Sequence, residues 1–393
     1  LSIIFFFINK KMRNTVIIGL LTIIIFVYSY EAYLTLKISN TLLDEKKIYK
    51  EKYKKKFDTR SKRKAYQNIK SKNKSASMTK KPFSYIYKDN IDLMLLSGKS
   101  NSLEIDCNEN GYYSKYKSDR FGFNNPDTEW DNSEIEFLLV GDSFVQGACV
   151  NRPNDISSRL RFYSKKSVLN LGMSGNGPLL EYASLKEYYK TNTKKVLWFF
   201  YEANDLINLS DEINNKILMN YLDNENFSQN LKLKQKNVDA IHVNSSNKIV
   251  IPNFYLSNNF KFLKLSNLRY KIKILIINSK NQKNKKNVIN NEILNIFKKI
   301  LYKTKSLTDQ NNSELYLVYL PRYERYLTKN YNLKEYELIK KILIEMNISM
   351  IDIHKDVFDK EDDPLNLFPF KKKGHYTIEG YDKIAKNILK KIN

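Results

Sequence analysis

The sequence predicts an α/β protein: a flavodoxin-like three-layer α/β/α sandwich around a central, mainly five-stranded parallel sheet, preceded by a transmembrane helix. Three observations lead to this class. From residue 135 onward, short apolar runs typical of buried strands alternate with segments typical of helices. Polar residues follow several of these runs directly, and an almost wholly apolar segment lies near the N-terminus. Such alternation implies parallel strands joined by crossover helices on the faces of the sheet.

The predicted core elements follow one another in βα order. The apolar runs are rich in β-branched and aromatic residues, which favour strands, and the segments between them carry apolar residues at helical spacing. In chain order the elements are strand Ile135–Val140, helix Ile156–Tyr163, strand Ser167–Leu171, helix Leu179–Tyr189, strand Val196–Tyr201, strand Glu314–Leu320, helix Leu333–Met346, strand Ser349–Ile353 and helix Ile378–Ile392.

The N-terminal segment predicts a membrane anchor. Thr15 to Tyr30 is almost wholly apolar, and its length approaches the ~20 residues that a spanning helix needs. Lys10, Lys11 and Arg13 precede it, and basic flanks favour the cytoplasmic side. A cleaved signal peptide is the alternative, although no small-residue cleavage site follows. Residues 1–36 are therefore expected to cross the inner (cytoplasmic) membrane once, with the remainder on the periplasmic or extracellular side.

The formal net charge of +25 raises the question of a nucleic-acid partner. The basic residues are spread through a composition rich in Lys, Asn and Ile, and residues 37–81 hold a dense share of them with few apolar anchors. That region is predicted to be a basic linker or stalk. Because the predicted topology places it outside the cell interior, no nucleic-acid partner is expected.

Residues 82–393 are predicted to form one domain. A lead-in segment, 82–133, contains mixed polar and aromatic residues with glycine and proline at its turns. The core comprises residues 134–206 and 313–393. Between them, residues 207–312 are rich in Asn and Lys, and this stretch is predicted to be an insertion that forms a lid or a partner surface.

Four short motifs place reactive or hydrogen-bonding residues at the ends of predicted elements. Gly141 to Ser143 follows the first core strand, and Ser174 to Gly177 follows the second. Asn204 and Asp205 end the third strand, and His375 precedes the final helix. Turns and helix caps use the same residue types, but ligands of parallel sheets bind beyond the carboxyl ends of the strands. Together the motifs predict one cleft.

Taken in order, Ser143, Gly175, Asn204 and His375 resemble the four blocks of the SGNH (GDSL-type) hydrolase superfamily. The resemblance covers roughly residues 134–393, with a long unmatched middle. It implies that Ser143 is the nucleophile and His375 the base. It also implies that the Ser143 amide, the Gly175 amide and the Asn204 side chain form an oxyanion hole, and that no cofactor is needed.

Two positions depart from the family pattern. Ala203 stands where the family usually has glycine, and Lys372 stands where members commonly carry aspartate three residues before the histidine. A catalytic imidazole gains from a partner on its other nitrogen. Three alternatives are open: a backbone carbonyl orients His375, a carboxylate between Asp352 and Asp363 does so, or catalysis is impaired. His354 is the alternative base.

The resemblance implies a membrane-anchored serine esterase or acyl hydrolase, or an O-acyltransferase. The expected substrate is an acylated small molecule or glycan, and an envelope carbohydrate is suggested by the resemblance together with the predicted location. The alternative class, motivated by Lys372, is a catalytically impaired SGNH-fold binding or assembly protein of the cell envelope.

Four further residues near the predicted cleft have two interpretations each. Asp142 and Asp205 either support the site or cap helices, and Asp205 is predicted to be an N-cap. Arg322 and Arg325 follow a predicted strand at the same edge. They either hold an anionic or sugar substrate or solvate a helix start.

The cysteines and histidines are few. Cys107 and Cys149 are the two cysteines of the chain, and they either form a disulfide, which export favours, or remain buried thiols. Neither the cysteines nor the histidines cluster at ligand spacing, so no metal site is expected.

Overall fold

The computed structural model describes residues 10–78, 81–87, 92–247, 258–276, 290–328 and 330–392. These residues form two compact units. The first contains residues 10–56 and 258–276, and the second contains residues 57–247 and 290–392. The second unit holds the predicted core.

The strands and helices are as follows. The strands are β1 (Ala76–Ser77), β2 (Leu103–Ile105), β3 (Lys115–Lys117), β4 (Ile135–Val140), β5 (Val168–Asn170), β6 (Thr193–Tyr201), β7 (Glu314–Leu320) and β8 (Ser349–Asp352). The helices are α1 (Lys10–Tyr53), α2 (Lys62–Lys70), α3 (Ser143–Gln146), α4 (Ile156–Ser164), α5 (Pro178–Tyr188), α6 (Asp205–Glu212), α7 (Lys216–Asp223), α8 (Gln235–Asn247), α9 (Asn258–Leu263), α10 (266–276), α11 (Asn291–Gln310), α12 (Lys334–Glu345), α13 (Ile353–Asp356) and α14 (Ile378–Ile392). Short 3₁₀ turns lie at Pro82–Tyr85, Asp127–Asp131, Tyr323–Tyr326, Phe358–Lys360, Pro364–Leu367 and Pro369–Lys371.

In the first unit, α1 is long and apolar enough to cross a membrane, by length and composition. Its apolar side chains face outward; Ile25 is 66% exposed and Phe26 72% exposed. The helix continues into the first part of the region predicted as a basic stalk and ends at Tyr53. Glu31 of α1 is fully buried and accepts hydrogen bonds from the backbone N–H groups of Asn267 and Leu268, at 3.0 and 2.8 Å. This carboxylate therefore caps the start of α10.

In the second unit, the central sheet has five parallel strands in the order β5-β4-β6-β7-β8. This order is the flavodoxin-like arrangement, in which the first strand of the sheet lies between the second and the third. The predicted fold class is confirmed. β4 and β7 have the predicted bounds, whereas β6 begins earlier, at Thr193.

Apolar side chains cover both faces of the sheet because side chains alternate along a strand. Leu138 and Val140 of β4 belong to one buried cluster, which packs against α5, α6, α7, α11 and α12. Phe137 and Leu139 belong to the cluster on the other face, which packs against α4 and α14. The result is the three-layer sandwich that the sequence predicts.

Most of the stretch predicted as an insertion, 207–312, packs into this core. Ile293, Phe297 and Ile300 of α11 are buried in the first cluster, as are residues of α7 and α8. Of the described residues in this stretch, those of 258–276 belong to the first unit. The predicted core boundary at 313 is thus corrected: α11 is the crossover helix that leads into β7. Lysines and asparagines on its exposed side obscured its apolar stripe in the sequence.

A small separate sheet has the order β1-β2-β3. Its strand β1 comes from the end of the region predicted as a stalk, and β2 and β3 come from the lead-in segment. β1 pairs with β2 in parallel, and β3 pairs with β2 antiparallel. Asp119 in the turn after β3 is buried and accepts hydrogen bonds from Asn125 and Trp130, both at 2.8 Å. These contacts fix the segment that precedes β4.

Phe297→Ala is expected to lower the free energy of unfolding by about 3–5 kcal/mol, because it removes buried apolar surface and leaves a cavity. The Phe297 ring is fully buried, 5.5 Å from that of Phe200. Phe162→Ala is the matched control, since that ring is 56% exposed; its effect should be about 0.5 kcal/mol or less. Urea unfolding of the full chain in detergent measures the free energy of unfolding of both variants. Equal effects would show that α11 is not part of the core.

Candidate active site

Three of the four motif residues follow three neighbouring strands of the sheet. β4 lies between β5 and β6. Ser143 follows β4, Gly175 follows β5 and Asn204 follows β6. Because the strands are parallel, the three loops emerge at the same edge of the sheet. The strand order therefore places the predicted nucleophile and the two predicted oxyanion donors at one edge of the sheet.

Ser143 begins α3 directly after a tight turn. A Cβ atom on Gly141 would lie 2.5 Å from Cγ2 of Val145, so only glycine permits this turn to pack against α3. The Asp142 carboxylate caps α3 by accepting the N–H of Phe144 at 2.9 Å. Ser143 is 8% exposed. Its hydroxyl is thus held at the strand end, largely shielded from bulk water.

His375 contacts Ser143 although 232 positions separate them in the sequence. Nε2 of His375 lies 2.8 Å from Oγ of Ser143. The imidazole packs on Phe144, with 4.8 Å between ring centroids. This separation is within the reach that a general base needs to accept a hydroxyl proton.

The other ring nitrogen of His375 contacts Glu109, a residue that sequence reasoning missed. Nδ1 lies 3.1 Å from each Glu109 carboxylate oxygen, and the carboxylate also accepts the backbone N–H of His375 at 2.6 Å. A Cβ atom on Gly374 would lie 2.6 Å from Oε2 of Glu109, so glycine makes room for this approach. Glu109 therefore fixes the orientation of the imidazole.

Asp352 and Asp363, the two ends of the range predicted to supply a replacement carboxylate, have other partners. Asp352 accepts the backbone N–H of Lys355 at 3.1 Å, and Asp363 pairs with Lys371 at 2.7 Å. His354, the alternative base, lies 3.2 Å from Asp359 and 2.9 Å from the Tyr326 hydroxyl. The one sequence signal for Glu109 was its position two residues after Cys107.

The Glu109 and His375 pair sets the electrostatics of the site. Burial lowers the pKa of His375, but the hydrogen bond and charge of Glu109 outweigh it and raise that pKa above 6.5. Burial raises the pKa of Glu109, but the hydrogen bond and charge of His375 outweigh it and leave that pKa below its ordinary value. Glu109 is thus placed to stabilise an imidazolium that forms when His375 takes a proton.

A disulfide joins Cys107 to Cys149, with 4.9 Å between their Cα atoms. Of the two interpretations of the cysteines, the structure has the disulfide. It links the segment that carries Glu109 to the chain just beyond α3. Sγ of Cys149 lies 3.5 Å from Nδ1 of His375, so the bond lies against the imidazole. The cross-link therefore holds Glu109 close to His375.

The loops that carry Gly175 and Asn204 are fastened to each other by α6. Asn208 Nδ2 donates to the Gly175 carbonyl at 3.1 Å. Glu212 accepts the backbone N–H groups of Gly177 and Leu179, at 2.6 and 2.9 Å. Gly175 itself has φ of +85°, a conformation that favours glycine. The geometry of this edge is thus fixed by hydrogen bonds within the fold.

Asp205 holds the end of β6 and is not an N-cap. It is buried in the first turn of α6, and its carboxylate accepts the backbone N–H of Tyr201 at 2.8 Å. Burial raises the pKa of Asp205, and the charge of Asp142 raises it further. The prediction of a capping role is corrected: Asp205 stabilises the strand end that precedes Asn204.

The contacts of Arg322 and Arg325 assign both guanidinium groups to ion pairs within the protein. Arg325 is 5% exposed and lies 2.6 Å from Glu202, which is also buried. Arg322 lies 2.9 Å from Glu324. These ion pairs favour a structural role over substrate binding for both arginines.

Comparisons with known proteins give structural likenesses alone. No family model matches the chain, and no curated protein matches it. Among solved structures, the chain is similar to a member of the lipolytic protein G-D-S-L family from Veillonella parvula, at 12% identity over 66% of this chain and 98% of that chain, with a TM-score of 0.36. It is also similar to an acetyl xylan esterase, at 12% identity over 66% of this chain and 100% of that chain, with a TM-score of 0.37.

The second unit has the strand order and the placement of motif residues that the four motifs predict. Fold and site thus define an α/β sandwich with Ser143, Gly175 and Asn204 at one edge of the sheet and His375 in contact with Ser143.

The His375 imidazole is expected to titrate above pH 6.5, the ordinary pKa of histidine, because Glu109 favours its charged form. Glu109→Gln removes this charge at nearly constant size and should lower the pKa of His375. NMR of histidine-labelled protein against pH measures both values, and His375→Asn identifies the signal among the three histidines. Glu361→Gln, which removes a carboxylate paired with Lys383, is the control. An unchanged pKa in Glu109→Gln would contradict the contact.

Proposed function

We propose that this protein is a serine esterase or acyl hydrolase with Ser143 as nucleophile, His375 as general base and Glu109 as the residue that orients the base. The observation that carries the proposal is the continuous contact from Ser143 Oγ to His375 Nε2, at 2.8 Å, and from His375 Nδ1 to Glu109, at 3.1 Å. A serine hydroxyl is a weak nucleophile unless an adjacent base takes its proton. This arrangement provides that base in a fixed tautomer.

The proposed reaction has two stages. His375 takes the Ser143 proton as Oγ attacks the ester carbonyl, and the amides of Ser143 and Gly175 together with the Asn204 side chain stabilise the negative oxygen. The imidazolium then protonates the leaving alcohol, which leaves an acyl-serine. Attack of water on the acyl-serine completes hydrolysis, whereas attack of an acceptor hydroxyl completes acyl transfer.

The surroundings of the site favour a polar substrate. A small pocket of about 40 Å³ lies beside the loop that precedes Gly175. Charged and amide side chains, among them Lys62, Glu104, Asp106 and Gln146, line it together with the apolar Ile105 and Met173. Charged and amide side chains bind hydroxyl groups better than they bind acyl chains. We therefore favour an acylated glycan or other polar ester over a lipid.

The location proposed for the reaction is the outer side of the cytoplasmic membrane. α1 would anchor the chain by its exposed apolar side chains, and the basic residues before the span favour a cytoplasmic N-terminus. The disulfide between Cys107 and Cys149 fits an oxidising compartment. Both features agree with an enzyme that acts on envelope carbohydrate.

Ser143→Ala is expected to lower kcat/KM for an aryl acetate by at least about 10³-fold, because the nucleophile is lost. A fluorophosphonate probe should label wild-type Ser143 and leave the variant unlabelled. Ser164→Ala, at the end of α4 and away from the cleft, is the matched control and should keep both properties. Folded wild-type protein without label would favour the alternative of a non-catalytic binding or assembly protein.

Asn204→Ala is expected to lower kcat by about 10² to 10³-fold, since one oxyanion donor contributes about 2.7–4 kcal/mol to the transition state. KM should change little, because the donor acts on charge that develops during the reaction. Asn220→Ala, on the exposed side of α7, is the control. Steady-state kinetics with the aryl acetate measure both, and an unchanged kcat would exclude Asn204 from the oxyanion hole.

A further inference from the structure

Four metal-ligating side chains lie together directly behind the proposed nucleophile. Cys107, Glu109, Cys149 and His375 each offer one ligand atom, and these atoms all lie within 4.8 Å of one another. The residues come from the lead-in segment, from the chain just after α3 and from the segment before α14. The sequence did not reveal the cluster, because its members are far apart in the chain and the fold alone gathers them.

Two thiolates, one imidazole and one carboxylate form a ligand set that suits Zn²⁺. In tetrahedral zinc sites the bond lengths are about 2.3 Å to sulfur, 2.0–2.1 Å to nitrogen and 2.0–2.2 Å to oxygen, so neighbouring ligand atoms stand roughly 3.3–3.8 Å apart. The separations of Nδ1 of His375 from Sγ of Cys149, 3.5 Å, and from Glu109, 3.1 Å, are close to that range. These two separations are already close to those of a zinc site, whereas the two sulfur atoms, which are bonded to each other, have to move apart.

The disulfide is what keeps these ligands from binding metal. Sulfur atoms that are bonded to each other are not thiolates, and the thiolate is the form that ligates zinc. The cluster can be approached from outside the protein, because the side chains of Glu109 and His375 are 31% and 20% exposed. Reduction of one bond is thus the step that would convert a structural cross-link into a complete ligand set.

We propose that the reduced form of this protein binds one Zn²⁺ through Cys107, Cys149, Nδ1 of His375 and the Glu109 carboxylate, and that this metal silences the site. The binding is independent of the proposed function, whereas the silencing rests on it. The oxidised protein has the contacts of an active esterase, and the reduced protein with zinc does not.

Conversion of the disulfide into the zinc site begins with a two-electron reduction. A dithiol reductant supplies two electrons and two protons, which open the disulfide into two thiols, and the reductant leaves as a cyclic disulfide. Zn²⁺ then displaces one proton from each thiol to the solvent. The bonds that form are the two zinc–sulfur bonds, one bond to nitrogen and one to a carboxylate oxygen.

The metal would silence the site because it binds Nδ1 of His375 and not Nε2. Nδ1 of His375 faces the cluster and Nε2 faces Ser143. A neutral imidazole whose Nδ1 lone pair is bound to zinc carries its proton on Nε2. Nε2 then cannot accept the Ser143 proton, and Glu109 no longer accepts from the ring. The metal would therefore remove both the base and the residue that orients it.

The test uses the full chain in detergent. Wild-type protein is reduced with dithiothreitol, freed of reductant without oxygen and mixed with Zn²⁺ alone; bound zinc is measured by atomic emission after gel filtration. We expect one zinc per reduced chain and none per oxidised chain. Co²⁺ in place of Zn²⁺ should give the near-ultraviolet absorption of cobalt–thiolate bonds. Circular dichroism follows folding throughout, and a reduced chain that unfolds would overturn the proposal.

Variants separate this site from general metal binding. Cys107→Ser/Cys149→Ser should lose zinc binding, and His375→Ala should weaken the affinity of the reduced protein by about tenfold or more, since one of four ligands is lost. His354→Asn is the matched control, because that imidazole pairs with Asp359 outside the cluster, and its affinity should equal that of the wild type. Zinc bound equally by the reduced wild type and the double cysteine variant would overturn the proposal.

An activity measurement distinguishes the two proposals. Zinc should lower aryl acetate hydrolysis by the reduced wild type by about tenfold or more, because the base is blocked; a chelator should restore it, and the oxidised protein should not respond. If the reduced chain binds zinc but the oxidised chain has no esterase activity, the proposed function fails and the metal site stands. If the oxidised chain is active and the reduced chain binds no zinc, the metal site fails and the proposed function stands.

Discussion

The contact between Glu109 and His375 is the interaction on which the candidate site depends. It joins the irregular lead-in segment to the end of the sandwich, across 266 positions of sequence. Without a carboxylate at Nδ1, the partly buried imidazole would have no fixed tautomer, and its burial would favour the neutral form. Gly374, which leaves room for the carboxylate, and the disulfide at Cys107 both serve this one contact. The lead-in is therefore part of the site as well as a covering of the core.

The sheet provides the other half of the arrangement. Parallel pairing in the order β5-β4-β6 places three loops side by side, so that Ser143, Gly175 and Asn204 share one edge of the sheet. Buried carboxylates then fix the loops: Asp142 caps α3, Asp205 holds the end of β6 and Glu212 holds the start of α5. Such groups are costly to bury unless they are hydrogen-bonded. Backbone N–H groups donate to each of these three carboxylates.

Local pattern was enough to predict the sandwich and the four motifs, because strand alternation and strand-end polar residues are short-range properties of the chain. Local pattern was not enough for residues whose role depends on a partner far away in the sequence. Glu109 has one weak local signal, its position two residues after Cys107, and its role exists only because folding brings it to His375. Arg325 follows a strand, which is a common position for a ligand-binding residue, but the structure pairs it with the buried carboxylate of Glu202. α11 was hidden by its lysine-rich exposed side, although its buried side carries Phe297.

The disulfide also closes a ring of backbone, because Cys107 and Cys149 are 42 positions apart and the chain between them contains β3, β4 and α3. Glu109 and Ser143 both belong to this ring. A protease that cut one peptide bond anywhere between them would leave the orienting carboxylate and the nucleophile covalently connected through sulfur. In the extracellular surroundings proposed for this unit, such a ring would let the site survive damage that would divide a linear chain in two.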